Sequence, residues 1–537
     1  MSHPPRTGRP TTLATRGMVA SPNHLASQAG LRLLQEGGNA VDAAVATSAA
    51  LAVLYPQNTS LGGDLFALVY DARSDSVHAL NASGRAARRA TIEYYTSRGY
   101  RQIPSRGPLA ALTVPGAVDG WGKLLERFGR LELGQVLRPA IEYAAHGSPV
   151  TDGLARWLAK DRDVLASYPN SAATYLRRDG RPPGLGDRLV QPGLARSLRA
   201  LAEGGCEAFY RGALGREVAA ALSDAGSPLS AEDLAAHRSD WQEPISTTYR
   251  GQTAYQLGPN TQGFAALAIL NILDGWNLHE LGQGTTAYYH HLVEATRQAF
   301  RDRDRHLSDP DFVDIPLSEL LSREHADRLR AKIDGHRAGP GIPQPLGGDT
   351  VFLATADDHG NLVALIHSIY WDFGSGFVAG ETGVILQNRG SFFSLDPAHP
   401  NRLEPEKRTF HTLIPAMLAK DGRPWLAYGT MGGEGQPQTQ TALVTRIVDF
   451  GFDLQSAIEA PRWLLGRTWG APSSFLHLEE RIPLEVIDEL RAMGHPVAVA
   501  PAWDEQLGHA QAVAIDRERG VLLGGADPRG DGAAVGY

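Results

Sequence analysis

The sequence predicts an α/β (α+β) fold whose two halves are incomplete without each other. Three observations carry this. Residues 120–330 read as mostly helical, in segments such as VDGWGKLLERFG and TTAYYHHLVEATRQAFRDRDRHL. After a Gly/Pro-rich stretch, DGHRAGPGIPQPLGGD at 334–349, the pattern changes to short apolar strands. Neither half has enough strands for a complete sheet, so one intertwined unit is expected rather than two independent domains.

The elements follow in order. Residues 1–16 carry three prolines and no apolar period, and read as a disordered arm. HLASQAGLRLLQEGGNA reads as a helix from Ser21 or Asn23 to Glu36, stopped by Gly37 and Gly38. The alanine-rich AVDAAVATSAALAVLY gives a second, buried helix whose small residues permit close packing. Two short strands, 65–71 and 76–81, flank the turn ARSD. Within the helical run, YRGQTAYQLGPNTQGFAALAILNILDG inserts a strand, a Gly/Pro loop and a helix. The linker at 334–349 follows. Strands are then expected at 350–357, 362–369, 383–387 and 425–430, followed by the helix QTALVTRIVDFG and a closing α/β stretch.

Composition narrows the function. The chain has 537 residues, enough for a large core. Charged residues are 20% and hydrophobic residues 42%, ordinary for a folded protein. The formal net charge is −8 with both signs interspersed, so no basic face and no nucleic-acid partner are expected. The single cysteine, Cys206, excludes an internal disulfide and a cysteine-based zinc site. His290 and His291 are adjacent on a helix and should point apart, so no metal site is expected there, and no cofactor is expected either. No secretory signal core and no long apolar run is visible, so a cytoplasmic location without membrane partners is expected.

The chemistry centres on Thr350. VFLATAD and LVALIHSI are near-continuous apolar strands joined by the turn DHGN, a pattern for a hairpin covered on both faces. Centred on His359, the hairpin pairs position 350 with 368. Thr350 and Ser368 then face each other with Cβ atoms about 5 Å apart. A threonine hydroxyl needs a base. Cutting the Asp349–Thr350 bond would supply one on the same residue, because a freed α-amine has an ordinary pKa of about 7.7–8.0. A Gly/Pro linker running into an anchored strand suits such a cut; the plainer alternative is a threonine that merely begins a strand. PWLAYGTMGGEGQPQTQTALVTRIVDFG reads strand, Gly-Gly turn, helix. The N–H groups of Gly432 and Gly433 are therefore candidates for an oxyanion hole, the alternative being a simple tight turn.

These three elements together resemble the γ-glutamyltransferase (γ-glutamyltranspeptidase) family of N-terminal nucleophile hydrolases, closer to its acylase and amidohydrolase-like members. GMVASPNHLASQAGLRLLQEGGNAVDAAVATSAALAVLYPQNTSLGGDLFALVYD is similar to the family's N-terminal block. LTVPGAVDGW, GPNTQGFAALAILNILDG and GDTVFLATADDHGNLVALIHSIYWDFGSGFVAGETGVILQN are similar to further blocks. The resemblance implies an αββα sandwich and a proenzyme that cuts itself between Asp349 and Thr350. A large fragment, 1–349, and a small one, 350–537, would stay together as a heterodimer, with pairing into an (αβ)2 assembly left open. Thr350 would attack an amide carbonyl, Ser368 would stand where the family has a threonine bonded to the nucleophile, and Gly432 and Gly433 would hold the oxyanion.

The acyl pocket departs from the transpeptidase pattern. Where those enzymes hold the substrate α-ammonium with Asn, Gln and Asp, this chain has Tyr370, Arg389 and Phe392. Where they have paired serines, it has His411 and Thr412. Arg85 lies near the place of their carboxylate-binding arginine. With the acid gone and an arginine present, the expected substrate is an amide whose acyl group is anionic and lacks a free α-ammonium, glutaryl- or oxamate-like. Asp64 is a further residue that could approach the site. Two other readings stay open here: true γ-glutamyl transfer or glutathione hydrolysis with an altered pocket, and an unprocessed binding protein on the same fold.

Overall fold

Alternation along one strand sets the layers of the molecule. In the strand Asp349–Asp357, Val351 and Leu353 face one hydrophobic cluster, while Phe352, Ala354 and Ala356 face another. Successive side chains of a strand point to opposite faces, so a strand apolar on both must be covered on both. The first cluster joins this sheet to helices that include Ala40–Leu54, Ala117–Phe128 and Leu133–His146. The second joins it to another sheet through Met417, Ala427, Val513 and Leu522. The opposite face of that second sheet, with Leu418, Leu426, Tyr428 and Ala512, packs on the helices Gly263–Leu273, Thr286–His306 and Gly435–Val448. The result is an αββα sandwich, seen in a computed structural model that describes residues 8–341, 348–468 and 473–537.

Each sheet has seven strands. The first runs in the order Ala533–Gly536, Gly17–Ser21, Asp349–Asp357, Leu362–Tyr370, Asp64–Asp71, Ser76–Ala82, Asp240–Gln242. The second runs Thr12–Ala14, Val521–Ala526, Ala510–Asp516, Arg423–Thr430, Ala416–Lys420, Gln252–Gln256, Ile245–Tyr249. Both take strands from before and after residue 349, as the intertwined reading expects. The first helix is His24–Gln35, and the Asn23 side chain caps it by accepting from Leu25 and Ala26 N–H. The Ala40–Leu54 helix is buried along its whole length and starts with a capping box between Asn39 and Asp42.

Two expectations are corrected. Thr12–Ala14 is an edge strand paired to Val521–Ala526, so the arm of residues 1–16 is ordered at least there; residues 1–7 lie outside the described residues. The strand expected at 383–387 does not form. Gly374, Gly376, Gly380 and Gly383 all have positive φ, so the approach to this segment is a chain of tight turns whose described backbone pairing is limited to isolated bridges such as Gly62–Leu386.

The first half of the linker follows one helix. On Thr286–His306, His290, Glu294, Arg297 and Arg301 lie at helical spacing on one side. His290 Nε2 meets Asp334 O at 2.7 Å, and Glu294 Oε2 accepts from Gly339 N at 3.2 Å. Arg301 donates to Pro340 O at 2.6 Å, and Arg297 donates to Gly341 O. The part of the expected linker at 342–347 lies outside the described residues.

Candidate active site

The hairpin forms in the expected register from Val351–His367 to Ala356–Leu362. Its turn is pinned by Asp357. Oδ1 accepts from His359 and Asn361 N–H, and Oδ2 accepts from Asn361 Nδ2 and, at 2.9 Å, from Ala40 N at the start of the buried helix. At the far end the ladder shifts. Asp349 pairs with Tyr370, so Thr350 stands opposite both Ser368 and Ile369. The simple Thr350–Ser368 pair is thus replaced by a bulge, which bends the strand locally and re-aims its side chains. Ser368 pairs on its other side with Asp64.

Thr350 is 1% exposed, and its carbonyl accepts from Asn58 Nδ2 at 3.0 Å. Ser368 Oγ accepts from Tyr370 N at 2.8 Å and from Arg389 Nη2 at 3.3 Å. Just past the bulge Tyr370 has φ +83°, a conformation costly for a residue with a Cβ. That backbone turn lays the Tyr370 ring against Gly348, where an added Cβ would come within 2.6 Å of a ring carbon. Gly348 is therefore required by close approach. Tyr370 also stacks on Phe392, with centroids 4.1 Å apart.

Arg389 is the centre of the pocket residues. It begins the short turn Arg389–Phe392 and is wholly buried. Its guanidinium lies 4.5 Å from the Tyr370 centroid and 5.3 Å from that of Phe392. Nη1 donates to Thr412 Oγ1 at 3.4 Å, and Nε has no acceptor among the described residues. Burial lowers its pKa to about 10 and the charge of Asp64 opposes the fall, so the group remains a cation at neutral pH. No described carboxylate forms an ion pair with it, an arrangement that is costly unless an anion arrives.

His411 and Asp64 form a second buried pair. His411 Nε2 and Asp64 Oδ2 are 2.9 Å apart, and His411 Nδ1 has no described partner. Asp64 Oδ1 accepts from Gly84 N, Gly116 N and Gln387 Nε2. Burial pushes Asp64 up to about 7, against the pull of Arg389 and these donors. Burial and the charges of Arg389 and Arg408 hold His411 well below its ordinary value.

Gly432 and Gly433 lie between the strand Arg423–Thr430 and the helix Gly435–Val448, with φ of +120° and +49°. Gly432 O accepts from Gly435 N at 2.7 Å. In a trans peptide the N–H points opposite its C=O, so Gly433 N–H is turned away from the helix. A Cβ on Gly433 would meet Gly348 O at 2.7 Å, which sets this turn against the chain entering Thr350.

The structure thus joins Ser368, Tyr370, Arg389, Phe392 and Thr412 in one connected set beside Thr350, with His411 and Asp64 adjoining. Arg85 is placed differently. Its guanidinium donates to Asp311 Oδ2 at 3.1 Å and Glu406 O at 3.3 Å, and lies 3.6 Å from Asp309, on a partly exposed rim. None of its described contacts is with the Arg389 set. Asn58, Gln262 and Arg303 also belong around the site and had no role in the sequence reading. Their only signal was membership of the quoted N-terminal, GPNTQGFAALAILNILDG and helical segments. Cys206 is only partly buried by area, yet desolvation pushes its thiol up to about 12, which makes it a poor nucleophile. For a metal, the ligand atoms of His290, Glu294 and His495 lie within 4.8 Å of one another. There His290 bonds His495 and Asp334 O, and Glu294 bonds Arg297 and Gly339 N, so these atoms already serve the linker contacts. No described helix is long and apolar enough to cross a membrane.

The αββα sandwich with intertwined halves is of the N-terminal nucleophile hydrolase type. The chain belongs to the γ-glutamyltranspeptidase family, whose model matches residues 26–537. It is 49% identical over 526 residues to the glutathione hydrolase-like YwrD proenzyme of Bacillus subtilis, covering 98% of this chain and 99% of the relative. It is 44% identical over 533 residues to the oxamate amidohydrolase proenzyme of Klebsiella pneumoniae, covering 98% and 99%. A crystal structure of cephalosporin acylase from Bacillus halodurans superposes with a TM-score of 0.93 at 39% identity, covering 100% of this chain and 98% of that one. The protein is a self-processing hydrolase of this family, of the amidohydrolase and acylase type.

Proposed function

We propose that Thr350 is the nucleophile, freed by cleavage of the Asp349–Thr350 bond, and that the enzyme hydrolyses amides whose acyl group ends in an anion and lacks a free α-ammonium. The observation that carries the substrate reading is Arg389, a buried cation beside the stacked Tyr370–Phe392 pair that, among the described residues, bonds hydroxyls and no carboxylate. An ammonium 4 Å from it would be disfavoured by about 4 kcal/mol at an effective dielectric of 20, and a carboxylate favoured by as much before its own desolvation. The relative named as an oxamate amidohydrolase supports a short dicarboxylic monoamide as the substrate class.

In self-cleavage Thr350 Oγ1 adds to the Asp349 carbonyl carbon, the C–N bond breaks, and the nitrogen takes a proton. Water then hydrolyses the resulting ester and leaves Thr350 with a free hydroxyl and amine. In turnover that amine accepts the Oγ1 proton as Oγ1 attacks the amide carbonyl. The N–H groups of Gly432 and Gly433 receive the negative charge on oxygen. The proton passes to the leaving amine, and water or an amine releases the acyl group. The two fragments remain one heterodimer.

The test joins intact-mass measurement with a substrate panel. Wild-type chain is expected as fragments 1–349 and 350–537, and Thr350→Ala as one uncut chain without amidase activity. Oxalyl- and glutaryl-type amides should be cleaved in preference to a γ-glutamyl anilide. Selective turnover of the anilide would overturn the acyl-pocket reading, and cutting of Thr350→Ala before residue 350 would overturn the nucleophile.

A further inference from the structure

A buried clamp of three side chains stands behind the Gly-Gly turn. Gln262, which precedes the helix Gly263–Leu273, donates through Nε2 to Gly433 O at 3.0 Å and to Thr412 O at 2.9 Å. Its Oε1 accepts from Arg303 Nη1 at 3.0 Å. Arg303 Nη2 pairs at 2.8 Å with Glu434, the residue after Gly433. Gln262, Arg303 and Glu434 are each 2% exposed or less. The geometry does two things. It holds the Gly433–Glu434 peptide from its carbonyl and from the adjacent side chain, in a turn with positive φ at both glycines. It also ties that peptide to Thr412, whose hydroxyl receives Arg389.

We infer that Gln262 and Arg303 are positioning residues that hold the oxyanion turn in register with the Arg389 subsite. Without Gln262 the Gly433 carbonyl keeps the longer 3.3 Å bond from Gln436 N but loses its shorter donor and its tie to Thr412 O, so the turn is held less tightly. Preorganised donors act through exact placement, and removal of one such donor from an oxyanion site costs about a hundred- to a thousandfold in rate. A displaced donor should cost less. The inference rests on the Gly432–Gly433 role proposed above and goes beyond it, because neither Gln262 nor Arg303 touches the reacting bond.

Gln262→Met tests this, since it keeps the volume, removes both donors and leaves the Arg303–Glu434 pair in place. Self-cleavage of freshly translated chain is expected to slow roughly ten- to a hundredfold. The kcat for a dicarboxylic monoamide should fall by a similar factor, with KM moving less than about threefold. A merely structural role would lower the melting temperature and leave kcat per folded molecule unchanged. Wild-type cutting and turnover by Gln262→Met, or losses that only track its folded fraction, would overturn the inference. If Gln262→Met is insoluble, Arg303→Lys decides in the same way, because a lysine ammonium lacks the planar fork that reaches Gln262 and Glu434 together. Cutting of Thr350→Ala would count against the nucleophile and leave this clamp to be judged on the kcat of its own variants.

Discussion

Replacing Arg389 by Met separates recognition from stability at a single side chain. The variant should lose about a hundredfold in kcat/KM for an anionic amide, on the order of 2.7 kcal/mol, mostly through KM, as measured by steady-state kinetics. Its melting temperature should hold or rise, because the fold no longer buries a cation without a paired carboxylate. Asp64 gives a pH signature with a definite sign. Its folded pKa of about 7 lies above the ordinary 3.8, so between these values the folded chain holds a proton that the unfolded chain has lost. Its contribution to stability is full below about pH 4 and is lost as pH rises through about 7. Thermal melts of uncut Thr350→Ala, which has no free amine at residue 350, should therefore show a downward slope over this window that Asp64→Asn removes. A slope unchanged in the double variant would show that another group titrates.

At the scale of elements, two features flank the bond proposed to be cut: the hairpin and the helix that carries the first half of the linker. Asp357 ties the hairpin turn to Ala40 N, so Asp357→Ala leaves buried N–H groups unpaired and should destabilise by about 1–3 kcal/mol in denaturant unfolding. The face of Thr286–His306 that carries Glu294, Arg297 and Arg301 holds the backbone of residues 339–341. Releasing it lengthens the stretch of chain between the held residues and Asp349, and the entropic cost of fixing such a stretch rises slowly with its length. Arg301→Ala should slow self-cleavage a fewfold in a gel time course, while the cut enzyme turns over normally. Normal cleavage by this variant would show that the linker needs no such guidance. The hairpin was legible because strands apolar on both faces can only be interior. The bulge was not, since a shift of one residue at Asp349 leaves no mark on an apolar pattern and is chosen by packing against Asp64–Asp71 and Asn58.

On the scale of the whole molecule, each sheet interleaves strands from both sides of residue 349. The proposed cleavage there would break one peptide bond and detach only the terminal Asp349–Tyr370 pair from one ladder. The two fragments should co-elute on size exclusion after complete cutting and unfold in one transition, and their separation without denaturant would contradict this architecture. The sequence by itself determined the family through long contiguous blocks, and that resemblance implied the αββα layering; apolar periodicity and the DHGN turn put Thr350 at the start of a strand. It also marked Tyr370, Arg389, Phe392, His411 and Thr412 as departures from the transpeptidase pattern. Only the tertiary structure decided how they meet. Arg389 joins Ser368 and Thr412, residues 21 and 23 positions away along the chain. His411 finds Asp64 across 347 positions, and Arg85 is drawn off to Asp309 and Asp311. The physical reason is that burial and charge pairing act through space. A guanidinium's role depends on which carboxylates the fold leaves beside it, and no spacing along the chain records that.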